Sequence, residues 1–185
     1  MKKLIILFIV MFFVSSGFSA EKNVLSTNVL GLLFGAVNAH YEMALNEKTG
    51  LSFGIGYSGI STDDWKISAT GLGAGYYIYP AKEALKGFFV GPTIGIAMVS
   101  AEYKYKEITG TWPYWTVEEK TDSASGTFIT IGGDLGYRWI WKGGVAFGLG
   151  IGVGFTSGEI KIAGEKAPYG GTGLTRLSVD FGYAW

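Results

Sequence analysis

The chain's 185 residues include 30 Gly, 15 basic against 15 acidic residues and no Cys. Without Cys there is no disulfide framework, thiolate metal site or thiol nucleophile, and a formal charge of zero excludes the broad positive field of a nucleic-acid binder. Gly at more than twice its usual ~7%, beside 4 Pro and 48% hydrophobic residues, excludes collagen-like and low-complexity chains and leaves one turn-rich folded domain.

The first element is an address. Lys2 and Lys3 precede an uncharged apolar run, residues 4–14 (LIILFIVMFFV), and Ser15, Ser16, Gly17, Ser19 and Ala20 follow it. The run is short for a spanning helix. A basic flank, a short apolar stretch and a small-residue exit predict a cleaved secretory signal over residues 1–20, the alternative being a buried or anchoring helix. Cleavage is expected after Ser19, which places Gly17 rather than Phe18 at the −3 position, or after Ala20. Loss of Lys2 and Lys3 leaves 13 of the 15 basic residues against 15 acidic ones, a mature charge of −2.

Beyond it the dominant period is two, the mark of half-buried strands. Eight are predicted, at about 24–35, 37–46, 50–61, 65–79, 87–103, 124–141, 144–158 and 172–185. The first has apolar residues on both parities, so its faces are unassigned. In the second, Tyr41, Met43 and Leu45 oppose Asn38, His40 and Glu42; in the third, Leu51, Phe53, Ile55 and Tyr57 oppose Gly and Ser. In the fourth the apolar parity changes from Trp65 and Ile67 to Leu72, Tyr76 and Ile78, which predicts a bulge near Gly71. The fifth sets Phe88, Val90, Ile94 and Ile96 against Gly91, Thr93 and Gly95, and the sixth sets Ile129, Ile131, Leu135 and Tyr137 against Thr130, Gly132, Asp134 and Gly136. The seventh is clearest: Phe147, Leu149, Ile151 and Val153 alternate with Gly148, Gly150, Gly152 and Gly154. The connections at 46–50, 80–87 and 142–144 are short, whereas 104–123 and 159–171 read as long polar loops. An even strand count with alternating short and long connections is the pattern of a bacterial membrane barrel; the tight join near Gly35 departs from it.

A soluble eight-stranded barrel also alternates, but its outer face needs Lys, Glu and other solvating groups. Here the second face is Gly, Ser, Thr and Ala, while charges such as Asp63, Asp64, Lys104, Glu118, Glu159 and Lys166 lie in or beside connections. Small residues suit a cramped lumen and the greasy parity suits hydrocarbon, and closure satisfies the backbone without water. The expected fold is therefore all-β, an eight-stranded antiparallel up-and-down transmembrane β-barrel over residues 21–185.

The last strand ends on Val179, Phe181, Tyr183 and Trp185, all on one parity. This terminus resembles the signal that outer-membrane barrels present to their assembly machinery, and the resemblance implies recognition by an insertase. Strand count and length resemble the small barrels of the OmpX and OmpA type. Asn28-Val-Leu-Gly-Leu-Leu, Tyr41-Glu42, Gly75-Tyr-Tyr-Ile-Tyr79 and Gly136-Tyr-Arg-Trp139 are similar to a bacterial barrel family of undefined function, over nearly the whole mature chain. That likeness implies no activity.

Few residues could carry chemistry. His40 shares a face with Glu42. The small-barrel lipid A deacylases use a His with a Ser on the same strand, but the residues two away from His40 are Asn38 and Glu42, so a structural role is expected and no catalytic or metal site is assigned. The glycine runs around Gly71, Gly132 and Gly152 keep strand parity with no helix after them, unlike phosphate-binding loops. Glu42, Asp134, Arg138, Arg176 and Asp180 share the luminal parity and form a candidate ionic cluster, either a gate or a static plug; near-equal opposite signs favour the plug. Trp112, Tyr114 and Trp115, beside several Lys, are candidate surface-loop contacts for a glycan, a lipid head group or a host component, or else an aromatic cap on the rim. Tyr103, Tyr105, Tyr137, Trp139 and Trp141 read as interfacial girdles. A luminal change such as Gly150→Ser is expected to be mild.

The expectation is a non-enzymatic protein of the bacterial outer membrane, without cofactor, contributing to envelope integrity or surface interaction through its loops. Expected partners are outer-membrane lipid, barrel-assembly machinery and a surface glycan or host component. The alternatives are an enzyme acting on outer-membrane lipid and a narrow pore for a small or apolar solute.

Overall fold

The computed structural model describes residues 21–81, 83–111, 114–162 and 165–185. The signal expected over residues 1–20 and the contact residue Trp112 lie outside them. Among the described residues eight strands, each antiparallel to its neighbours, close into one barrel in chain order: β1 (Asn23–Asn28), β2 (Ala36–Asn46), β3 (Thr49–Ser61), β4 (Trp65–Ile78), β5 (Gly87–Thr111), β6 (Tyr114–Ile140), β7 (Val145–Ile162) and β8 (Glu165–Ala184). Closure is made by β8 on β1, from Val24↔Ala184 to Asn28↔Asp180.

Alternation sets the two faces as expected. Ile55, Leu72, Ile94, Ile131, Leu149 and Leu177 point outward and are all exposed, whereas Glu42, Asp134, Arg138 and Asp180 are at most 6% exposed within. The barrel is inside-out relative to a water-soluble one, with its polar core in the lumen and an apolar belt outside. One apolar cluster sits at an end of the barrel, where Val24, Leu85, Ile140, Ala146 and Ala184 pack together, and Tyr77, Tyr79 and Phe89 form a second. The first lies at the end of the short connections. Its corner between β6 and β7 has positive φ at Gly143 (93°) and Gly144 (85°), a conformation that costs Gly no Cβ clash.

Several expectations need correction. The first predicted strand stops at Asn28 and gives way to a helical turn, α1 (Val29–Leu33), with Asn28 as N-cap; Gly35 at φ 78° then turns the chain into β2, which accounts for the tight join. The segments read as long loops are paired strand. β5 and β6 stay in register out to Thr111↔Tyr114, and β7 and β8 out to Ile162↔Glu165. A strand wet on both faces needs no alternation, so period two fades where the ribbon leaves the barrel. There is no bulge near Gly71, since β4 keeps one register with both neighbours. Trp65 and Ile67 keep the luminal parity but sit at the exposed outer end, where parity no longer decides burial. The bulges lie elsewhere, between Ala44 and Asn46 and opposite Gly152/Val153, where Thr175 is the extra residue.

Candidate functional site

The five charged residues assigned to the lumen all come together there, because glycines make room for them. Asp134 on β6 and Arg176 on β8 are both register partners of Gly152 on β7. With no side chain between them, Arg176 Nη1 reaches over β7 to Asp134 Oδ2 at 3.0 Å, and its Nη2 donates to Asp180 Oδ2 at 2.9 Å. Arg138 and Asp180 likewise flank Gly148. Gly50 faces Glu42, and a Cβ on it would lie 2.6 Å from Oε1. The bare parity of the strands is thus the complement of the side chains opposite it. Gly150→Ser would press on this packing, since a Cβ there would sit 2.8 Å from Ser178 Oγ, a hydroxyl already donated to Asp180.

The cluster has two tiers. At the short-turn end Arg138 Nη2 donates to Glu42 Oε2 at 2.8 Å with both side chains buried, and Tyr79 donates to the other Glu42 oxygen at 2.5 Å. Arg138 also donates to Leu85 C=O at 3.3 Å and lies 5.5 Å from the centre of the Phe89 ring. Leu85 is fully buried at φ 71°, a left-handed conformation unfavourable for a branched residue, and its side chain stoppers this end. In the second tier, Tyr77 donates to Asp134 at 3.0 Å and accepts from Arg176 at 3.1 Å. Each guanidinium has hydrogen-bonded carboxylate partners, which a buried ion pair requires to be stable.

Sequence reasoning missed Tyr77, Tyr79, Phe89 and Leu85. For the tyrosines the signal was present: Tyr76 and Tyr77 are adjacent and must face opposite ways. Leu85 lies in a turn segment, where no periodicity marks a buried residue.

Beyond the second tier the lumen holds few large side chains. A cavity of about 500 Å³ is floored by Tyr77, Asp134 and Arg176 and walled by Gly, Ala and the hydroxyls of Thr93, Thr130 and Thr156. His40 and Asn38 reach it from β2. Ser26 is the register partner of His40 across β1, so a Ser does neighbour the imidazole, though from the adjacent strand; no hydrogen bond joins them.

The remaining candidates lie outside the lumen. Val179, Phe181, Tyr183 and Trp185 belong to the closing seam, where Trp185 C=O accepts from Lys22 N and Asn23 N at 2.8 and 3.0 Å. Tyr114 and Trp115 stand at the tip of the β5–β6 ribbon, 85% and 63% exposed. That tip is eight residues past the last pairing with β4, at Tyr103, roughly 26 Å at ~3.3 Å per residue, so these two do not cap the rim. Cross-strand pairs such as Lys120–Glu107 and Lys106–Glu119 line the ribbon, and Glu107 raises the Lys120 amine above its ordinary range. Tyr137 and Trp139 point outward and pack at 4.5 Å, as a girdle does. Tyr103 and Tyr105 do not join one: they keep the luminal parity of β5, and Tyr103 packs on Trp65 at 4.4 Å.

A family model described as protein of unknown function (DUF3575) matches residues 4–166. No curated protein matches the chain. Among solved structures, the β-domain of the Bordetella autotransporter BrkA is similar at 12% identity and a TM-score of 0.31, covering 90% of this chain and 99% of that one.

Proposed function

The chain belongs to the DUF3575 family of proteins of unknown function, and we propose that it is a non-enzymatic β-barrel protein of the bacterial outer membrane, of the small OmpX and OmpA type, that holds its lumen shut and works at the cell surface through its projecting hairpins. The observation that carries this reading is the combination in one closed barrel of an apolar belt outside and a buried ionic plug inside. Exposed Ile, Leu and Phe on every strand from β3 to β8 would aggregate in water, whereas in a bilayer they are solvated and the paired backbone is satisfied. The plug opposes the pore alternative, because the lumen is filled at one end by Glu42, Arg138, Tyr79 and Leu85. Tyr114 and Trp115, lifted clear of the belt, are the surfaces offered to a glycan or host component. The terminal strand is the part read by the barrel-assembly machinery.

Fractionation tests it. The protein should be recovered in the outer membrane with heat-modifiable migration, and protease added to whole cells should cut within residues 104–123. Recovery as a soluble periplasmic protein would overturn the reading. A change in the mass of lipopolysaccharide or phospholipid incubated with the folded protein would replace it with the enzymatic one.

A further inference from the structure

On the outer side of the barrel the wall is one strand short. β1 pairs with β2 only as far as Ser26↔His40 and with β8 only as far as Asn28↔Asp180, yet β2 extends to Ala36 and β8 to Glu165. Two asparagines finish the fork. The Asn28 side chain donates to Leu177 C=O at 2.9 Å and accepts from Val179 N at 3.2 Å, and Asn38 accepts from Asn28 N at 2.6 Å and donates to its C=O at 3.2 Å. Above them α1 rather than a strand occupies the gap and touches both β2 and β8. Gly31 seats it, since a Cβ there would lie 2.7 Å from Asn38 Nδ2.

This gap lies at the level of the apolar belt, for Val37 on one side and Leu174 and Leu177 on the other point outward and are exposed. Strand edges without partners are costly in hydrocarbon, so an interruption there calls for something that fills it. The cavity in the outer lumen reaches both flanks, with Asn38 lining it from β2 and Thr175 and Arg176 from β8. The plug closes the inner end of the cavity, and the wall beside it lacks strand pairing where α1 replaces β1.

We propose that the cavity and the gap together bind a single-chain amphiphile with an uncharged, hydrogen-bonding head, the head among the hydroxyls of Thr93, Thr130 and Thr156 and the chain passing beside α1 into the bilayer. An eight-stranded barrel has room for one small ligand, and about 500 Å³ falls within the ~300–1,000 Å³ of small-molecule sites. The floor selects the head. Both Arg176 Nη atoms are taken by Asp134 and Asp180, so an anion finds no free fork and meets one more carboxylate than guanidinium in the cluster. A cation finds Oδ2 of both Asp134 and Asp180 already bonded to Arg176. Hydroxyl or amide groups match what remains. The inference rests on the membrane reading above, since the chain needs hydrocarbon outside the gap.

The test uses the full mature chain inserted in phosphatidylcholine vesicles, its folding checked by heat-modifiable migration, and monododecanoylglycerol carrying a diazirine midway along its chain. After irradiation, saturable labelling should concentrate in residues 29–39 and 174–177. Unlabelled monododecanoylglycerol should displace it at least tenfold better than dodecyl phosphate or dodecyltrimethylammonium. Gly73→Phe and Gly71→Leu each fill the cavity from a position where a Cβ meets nothing closer than 3.5 Å; either, if still heat-modifiable, should reduce labelling at least tenfold, whereas Ile55→Phe on the outer face should not change it. Label spread evenly around the belt, or undiminished when the cavity is filled, overturns the proposal. Equal displacement by a charged amphiphile overturns the choice of head. A parent chain that fails to insert overturns the membrane reading as well, while an inserted parent without labelling at the gap overturns this inference alone.

Discussion

The two halves of the lumen share seven strands, with α1 standing in for β1 in the outer one, yet one is packed and the other hollow. In the inner half glycines at 148 and 152 stand between charged residues of the flanking strands, so that each absent side chain is replaced by one reaching from next door. In the outer half glycines stand beside other glycines, as Gly54↔Gly73 and Gly73↔Gly95 do, and little beyond His40, which lies over Gly54, reaches in. The contrast teaches that a glycine-rich luminal face does not by itself mean an open lumen. Openness depends on what lies across the ladder from each glycine, and therefore on register.

Breaking the packed half should have the largest effect. Arg138→Ala leaves Glu42 buried without its ion pair and should lower stability by about 3–5 kcal/mol, measured by refolding titration. The parent should carry no steady current in planar bilayers, while this variant admits intermittent current; sustained conductance by the parent would mean that the plug does not seal. Next in size is a change to the belt common to both halves: Leu149→Arg should destabilise by about 2–4 kcal/mol, and Leu45→Arg, near the belt's edge, by about 0–1 kcal/mol. The same costs at both positions would remove the case for a bilayer around the belt.

Two alanine substitutions sharpen the contrast directly. Gly152→Ala thrusts a methyl against Asp134 and to 3.1 Å from Arg176 Cβ, and should cost about 1–3 kcal/mol by overpacking. Gly73→Ala meets only Ile94 C=O, at 3.5 Å, and should stay within about 0.5 kcal/mol of the parent. Equal costs would show that both halves are packed alike. The smallest effect is expected at the ribbon tip, where Trp115→Ala should change stability by less than about 0.5 kcal/mol while weakening attachment to a glycan or host-component array; an unchanged array pattern would remove Trp115 from the proposed surface.

By itself the sequence determined eight strands, the faces of most of them and the five luminal charges, because a side-chain period of two follows from the geometry of each strand alone. It placed Asp134, Arg138, Arg176, Asp180 and Glu42 on one side of the wall without pairing any of them. Pairing depends on register between strands, which the tertiary structure sets: Gly152 becomes the bridge between Asp134 and Arg176 when β6 and β8 both lock onto β7. Local pattern was also silent where both faces share one environment. The wet ribbons beyond Tyr103 and Ala124 have no polarity contrast to alternate, and Val29–Leu33, apolar on every parity, reads equally well as strand or helix. Tertiary structure decided those cases, because Asn28 and Asn38 capture the backbone that a continuing β1 would have paired.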